Sequence, residues 1–443
     1  MRRRVSLVTL VLLAASLVLN LSASPARAAF VGRNGWVAFS ALAKNGSIQV
    51  YREGDNGLED VTGTRSTGPI MRNDNFSPTF SPEHGAHLAF VSATHTSTGR
   101  GPGDIWIVSP FPDLPSNSLA NLTKSPTTDD QSPSWDFTGG HVAYSSALVV
   151  SGQDAAADIW KVTWTGRLPQ DLTPGTVSDD IQPAWSPRTH VIAFVSNRTV
   201  PEGTTTGPSH GIWLMDSGDG EVLGQLTDDG THPNWRADGK KIAFVRDGDI
   251  WIMNDDGSEP MGLTHHTGST EFTNPAWSND GTKIAFQVDG GAVPVKGSSL
   301  MVMDANGKAQ KVLLHAKQFV GQSEPDWRAD CSVEPHKKNG KFVITGTNGP
   351  DLLCFEKFPT TVFGRGGDDS IYGGPGNNVV DGGPGNDIIL GAKGNDVLKG
   401  GTGNDYLEGD EGLDSFDGGA GIDQCNGDPG ESFSNCETIR QLR

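Results

Sequence analysis

From Gly364 to Asn426 the chain repeats every nine residues without a break: GRGGDDSIY, GGPGNNVVD, GGPGNDIIL, GAKGNDVLK, GGTGNDYLE, GDEGLDSFD and GGAGIDQCN. Positions one and four are glycine in all seven units. Position six is Asp369, Asn378, Asp387, Asp396, Asp405, Asp414 and Asp423, and position eight is Ile371, Val380, Ile389, Leu398, Leu407, Phe416 and Cys425. Ordered glycine costs the most backbone entropy, and a carboxylate in each unit adds like-charge repulsion, so such a segment folds only if something offsets both. A flexible glycine-rich linker has no reason to hold a period of nine. The phase therefore predicts a stack in which each unit gives a six-residue turn and a three-residue strand. Only the position-eight side chain turns inward, and the strands, too short to stand alone, build a thin core by parallel stacking.

What offsets the cost is read from the ligands the turns can offer. Glycines allow positive φ and bring carbonyl oxygens inward, and the aspartate adds a hard anionic oxygen. Oxygen-only ligation in flexible loops suits Ca2+ better than zinc or copper, and binding energy then becomes folding energy.

The units resemble the RTX, or haemolysin-type, calcium-binding β-roll, with its motif Gly-Gly-x-Gly-x-Asp-x-hydrophobic-x, over residues 364 to 426. The resemblance implies that two nonads make one turn of the roll and that position-six residues eighteen apart act together with loop carbonyls. Asp369, Asp387, Asp405 and Asp423 would then line one edge, and Asn378, Asp396 and Asp414 the other. Asn378 lacks the charge, so its site is expected to be weak or empty. Upstream, GTNGPDLLC keeps the phase with Asp351, but FEKFPTTVF has lost its glycines and reads as a cap without calcium. Downstream, Ser432 stands where Asp belongs.

A different repeat occupies residues 35 to about 330. A Pro-x-Trp/Phe anchor is followed by a hydrophobic-Ala-aromatic triplet and then by Ile-Trp. The anchors begin at Pro78, Pro133, Pro183, Pro233, Pro275 and Pro325, spaced 42 to 55 residues apart. Short apolar runs joined by Asp-Gly turns, as in KKIAFVRDGDIWIMNDDG, read as antiparallel strands linked by hairpins. That period with several short strands predicts a propeller. The first triplet, Val37-Ala38-Phe39, has no anchor before it, and the last anchor, with Trp327, has no triplet after it. The two partial units should complete one blade, giving six blades and no open edge. Units such as PAWSNDGTKIAF resemble the TolB-type six-bladed propeller repeat. That resemblance implies a fold but little about function, since similar propellers serve as binding platforms, peptidase lids and lyases.

Catalytic signals are thin. The chain outside the repeat is too short and too glycine-rich to build an α/β-hydrolase domain, so a nucleophile elbow is not expected. His232, His265 and His266 could belong to a metal-dependent lyase or serve as turn residues. Asp74, Asp130, Asp180, Asp229, Glu271 and Glu324 precede the anchors and read either as an acidic rim or as turn and capping residues. The repeated tryptophans read as packing between blades.

With 53 acidic against 34 basic residues in 443, the chain has a formal charge of -19, which argues against nucleic acid and anionic membrane surfaces as partners. Residues 1–28 have the basic start, apolar run and Ala26-Arg27-Ala28 ending of a cleavable secretory signal. No further apolar span follows, so no integral membrane segment is expected after cleavage. The four cysteines, Cys331, Cys354, Cys425 and Cys436, lack paired zinc spacing and in an exported chain read as two disulfides. Three pairings are possible; the simplest joins Cys331 to Cys354 and Cys425 to Cys436.

The expectation is an all-β protein: a signal at 1–28, a six-bladed β-propeller at 29–330, a linker or cap at 331–345, a parallel β-roll at 346–426 and a C-terminal cap at 427–443. Its expected role is that of a secreted calcium-binding protein without catalytic residues, its propeller a platform for an unknown protein or glycan. The alternatives are an extracellular polysaccharide lyase or hydrolase acting in the propeller mouth, and a structural adhesive or surface-layer component.

Overall fold

The computed structural model describes residues 34–42, 48–54, 57–62, 73–82, 87–96, 99–108, 119–150, 153–154, 156–175, 177–198, 210–289, 299–314, 325–329, 336–338, 341–354 and 359–441. The expected signal at 1–28, Glu324 and Cys331 lie outside them. Every regular element among the described residues is a strand, and among them no helix is long and apolar enough to cross a membrane.

The anchor, the triplet and the Ile-Trp pair fall on successive strands of one antiparallel sheet. In the clearest case Thr231–Trp235, Lys241–Arg246, Asp249–Asn254 and Met261–Gly262 pair in chain order. Five such sheets are four-stranded. The sheet carrying Trp135 has five strands, because His141–Val150 extends and folds back onto Gln153–Asp154. Against the expected six blades, five four-stranded blades are seen, and the sheet carrying Trp135 differs from them by an added strand. The two partial units pair with each other, Val37 opposite Trp327 and Ala38 opposite Asp326.

The triplets form the innermost packing. Phe39, Phe90, Phe194, Phe244 and Phe286 are fully buried, as are the alanines before them. Burying each such ring stabilises by about 1.5–3 kcal/mol. The tryptophans link neighbouring sheets: Trp135 Nε1 donates to the carbonyl of Thr79 at 3.1 Å, and Trp235 Nε1 to that of Ala184 at 3.0 Å.

Each of five anchor prolines follows a residue with φ of 51° to 53°: Ser77, Ser132, Gln182, His232 and Asn274. The pairing register shifts at each of these places. Proline cannot donate to a sheet ladder, so it sits in a bulge, and the residue before it takes the left-handed conformation.

The C-terminal part is a parallel β-solenoid. One sheet runs His336–Lys338, Lys341–Thr345, Thr360–Phe363, Val379–Pro384, Val397–Thr402, Ser415–Ala420 and Ser432–Ser434. The other runs Leu352–Cys354, Ser370–Tyr372, Ile388–Leu390, Tyr406–Glu408, Gln424–Gly427 and Thr438–Gln441. Register is eighteen residues per coil, as in Ile371 opposite Ile389 and Val380 opposite Leu398. Position eight forms the core: Leu353, Val362, Ile371, Val380, Ile389, Leu398, Leu407, Phe416 and Cys425 are buried in one column. After Gly427 the period shortens, so that Phe433 rather than Ser434 lies opposite Phe416, the rings stacked 4.8 Å apart. Cys425 and Cys436 form a disulfide. Cys354 is also disulfide-bonded; its expected partner, Cys331, lies outside the described residues.

The roll packs against the propeller. Tyr372, Ile388 and Leu390 bury Phe137, whose ring meets that of Tyr406 edge-on at 5.0 Å. Tyr372 donates its hydroxyl to the carbonyl of Phe137 at 3.2 Å. Arg188 donates to the carbonyls of Asp368 at 2.6 Å and Asp369 at 3.0 Å, and Lys240 pairs with the Asp368 carboxylate at 3.2 Å.

Candidate metal centre

The position-six residues form two ladders along the edges of the roll. Asp369, Asp387, Asp396, Asp405, Asp414 and Asp423 are 0 to 3% exposed. Each uses one carboxylate oxygen in the same way. Oδ1 of Asp387 accepts the backbone N–H of Asp369, Oδ1 of Asp405 that of Asp387, and Oδ1 of Asp423 that of Asp405, all at 2.8 Å. On the other edge Oδ1 of Asp396 accepts from Asn378 and Oδ1 of Asp414 from Asp396, both at 2.7 Å. Oδ1 of Asp369 accepts from Asp351 at 2.8 Å.

The second oxygen is different. Oδ2 of all six aspartates is buried without a hydrogen-bond partner. A single buried carboxylate oxygen left bare is costly, and six at one repeat position call for a common cationic partner. Each lies beside a position-one glycine, and all but that of Asp414 also beside a carbonyl of the next coil. A methyl group on Gly391 would stand 2.5 Å from Asp396 Oδ2 and 3.0 Å from the carbonyl oxygen of Gly409. On Gly400 it would meet Asp405 Oδ2 and stand 2.5 Å from the carbonyl of Gly418. Glycine is required there because the space beside its Hα is where hard oxygens converge.

This donor set fits Ca2+. It offers an anionic oxygen and backbone carbonyls on loops of adjustable geometry, with no sulfur or imidazole. Among the described residues no three His, Cys, Asp or Glu side chains cluster to hold a metal; a cation beside Oδ2 would draw its further ligands from oxygens such as the loop carbonyls. Burial pushes the carboxyls of Asp369, Asp387 and Asp405 up to about 7 and that of Asp396 to about 6, and raises those of Asp414 and Asp423. A cation beside Oδ2 would reverse that shift.

Asn378 sits at the same place with different bonds. Its Oδ1 accepts the N–H of Thr360 at 3.1 Å, and its Nδ2 donates to the carbonyls of Gly374 at 2.9 Å and Gly391 at 3.3 Å. The Asp351 rung is also closed, its Oδ2 accepting the N–H and hydroxyl of Thr347 at 2.6 and 2.9 Å.

Two sets of supporting residues escape a reading centred on position six. Position five carries its own ladder, Asn386 Oδ1 accepting from Asn404 at 2.7 Å and Asn395 Oδ1 from Leu413 at 3.1 Å. At the C-terminal end Glu431 Oε1 accepts from Asp414 at 3.1 Å and Glu437 Oε2 from Asp423 at 2.7 Å, replacing the next aspartate. The recurrence of Asn at position five was a legible signal. The glutamates fall outside the nine-residue phase and were not legible.

In the propeller, the left-handed residues and anchor prolines line a cavity of about 150 Å³ that includes Gln182 and His232. Gln182 Nε2 donates to His232 Nε2 at 3.0 Å, leaving Nδ1–H to donate to Thr231 Oγ1 at 3.0 Å. Burial lowers the His232 pKa to about 4, so the ring is neutral and its lone pair is engaged. His266 pairs with Asp249 at 3.0 Å, and His265 is exposed. The anchor acids bond within their own sheets: Asp180 with Arg198 and Asp229 with Arg246, both at 2.6 Å, and Asp130 with the Ser146 hydroxyl at 2.6 Å. Asp74 is buried and Glu271 exposed.

The family model of the RTX calcium-binding nonapeptide repeat matches residues 360–389 and 390–425. No curated protein matches the chain. Among solved structures, TolB from Acinetobacter baumannii is similar at 19% identity and a TM-score of 0.49, over 66% of each chain, so this chain spans just under two thirds of that TolB. A putative TolB from Agrobacterium tumefaciens is similar at 17% identity and a TM-score of 0.44, over 63% of this chain and 88% of the other. An oligogalacturonate lyase from Vibrio parahaemolyticus is similar at 12% identity and a TM-score of 0.40, over 64% of this chain and 74% of the other.

Proposed function

We propose that this is a secreted, non-enzymatic calcium-binding protein whose roll orders around Ca2+ and whose six-bladed propeller is a platform for a protein or glycan. The observation that carries the calcium reading is the repeated bare Oδ2 of Asp369, Asp387, Asp396, Asp405, Asp414 and Asp423. Calcium, when bound, supplies the positive charge that lets these carboxylates stay ionised while buried, and joins neighbouring coils. The chain supplies the rest. Oδ1 orients each carboxylate through the N–H one coil away, and the position-one glycines leave room for the oxygens to converge.

Six blades are supported by the inner strands, which neighbour one another around a closed ring. Asp74–Phe80, Thr128–Trp135, Asp180–Trp185, Thr231–Trp235, Glu271–Trp277 and Asp326–Ala329 follow in order, and the last lies against the first. The non-enzymatic reading is supported by His232, whose ring nitrogens are committed to Gln182 and Thr231. The disulfide between Cys425 and Cys436 supports an oxidising location.

The test is far-ultraviolet circular dichroism and limited proteolysis of the intact chain, titrated with calcium from chelator, with magnesium as control. Extracellular calcium modules have Kd of about 10⁻⁴ to 10⁻³ M, and a gain of β-signal and protease resistance in that range is expected with calcium alone. A roll equally ordered and resistant in chelator would sink the reading.

A further inference from the structure

The two rungs with closed hydrogen bonds share a property that the six bare ones lack. In the bare rungs the position-two residue of the loop, Arg365, Gly383, Ala392, Gly401, Asp410 or Gly419, has φ between 64° and 120°. Thr347 and Gly374, the position-two residues of the Asp351 and Asn378 rungs, are outside that left-handed set. Both instead turn back on their own position-six side chain. Thr347 gives its N–H and hydroxyl to Asp351 Oδ2, and Gly374 gives its carbonyl to Asn378 Nδ2. Asn378 Nδ2 also reaches the carbonyl of Gly391, thirteen residues on. Gly409 stands in the same relation to Asp396 and Gly418 to Asp405, and their carbonyls converge with the bare Oδ2.

We infer that Asp351 and Asn378 are ion-free rungs, in which the chain's own N–H and O–H groups take the place that calcium takes at the other six. This rests on the calcium reading above. These rungs head the two edges of the roll, Asp351 before Asp369 and Asn378 before Asp396, beside the coil whose Asp368 and Asp369 carbonyls Arg188 holds. They form a calcium-independent template against the propeller on which the ion-dependent coils stack. The first calcium-dependent rung on the second edge is then Asp396, not Asn378.

The experiment compares the intact chain with its Asn378→Asp variant by equilibrium dialysis against saturating calcium. The variant replaces the donating amide with a carboxylate oxygen and is expected to hold one more ion per chain. An unchanged or smaller number would overturn the inference, whereas a native chain that holds no calcium would instead overturn the calcium reading. A second measurement does not depend on the variant folding. In chelator, the native amides of Thr347 and Thr360, which bond to these two rungs, are expected to exchange at least about ten-fold more slowly than those of Asp387 and Asp405. Equal exchange across the four would overturn the inference.

Discussion

Asp387 Oδ1 accepts the N–H of Asp369 at 2.8 Å from the adjacent coil, while Oδ2 of the same carboxylate is buried without a partner. One oxygen sets the stacking and the other is left for a cation. The two jobs can be separated by mutation. Asp387→Ala removes both and is expected to lose calcium and destabilise the roll by about 2–4 kcal/mol, since it also strands the N–H of Asp369. Asp387→Asn keeps the Oδ1 acceptor and should lose calcium at a smaller cost. Calorimetric titration and thermal unfolding in calcium would show the difference; equal stability loss in the two variants would contradict it.

Protons and calcium should compete for the same buried oxygens. Burial raises the carboxyls of Asp369, Asp387 and Asp405 to about 7 and Asp396 to about 6 in the ion-free fold, above the unfolded value of about 3.9. A raised carboxyl favours the folded state when protonated. In chelator this contribution is therefore complete below about pH 4 and is lost as pH rises through about 6 to 7. In saturating calcium the ionised carboxylates would be the ligands, so calcium affinity should fall as pH drops through the same range. Thermal unfolding with and without chelator between pH 4 and 8 checks both signs.

Glycine in the roll is needed at some positions and absent from others that would favour it. Gly400→Ala would place its methyl 2.5 Å from the carbonyl of Gly418 and against Asp405 Oδ2, and is expected to abolish calcium binding at that rung and cost at least about 2 kcal/mol. Ala392 holds a φ of 71°. Ala392→Gly should therefore stabilise the roll by about 0.5–1 kcal/mol, the relief of left-handed strain outweighing the added chain entropy.

Arg188 ties the propeller to the roll through two carbonyls of one loop. Arg188→Ala should cost about 1.5–3 kcal/mol of docking. The measurable result is an earlier unfolding transition for the roll with the propeller transition unmoved. A shift of both together would place Arg188 in the propeller's own stability.

The roll was legible because its period is one of identical chemistry. Position eight predicted the column from Ile371 to Cys425, and position six the buried aspartates. The C-terminal coil was not legible, because the stack there shortens to place Phe433, not Ser434, on Phe416. The propeller's strand order followed from the anchor, triplet and Ile-Trp pattern, and its end-to-end pairing from the two partial units. The added strand beside His141–Val150 was hidden, since a longer hairpin leaves no mark in the anchor spacing. The bulge at the five described X-Pro anchors was readable in principle from proline within an inner strand. Asn378 was expected to be a weak site from its missing charge; that its amide bonds the loop carbonyls depends on the turn of Gly374, which residue identity does not specify.

The most direct measurement is a calcium-anomalous difference map from crystals of the intact chain grown in calcium. The account predicts density beside Oδ2 of Asp369, Asp387, Asp396, Asp405, Asp414 and Asp423 and none beside Asn378 or Asp351. An ordered roll with no anomalous density at those six oxygens would contradict it.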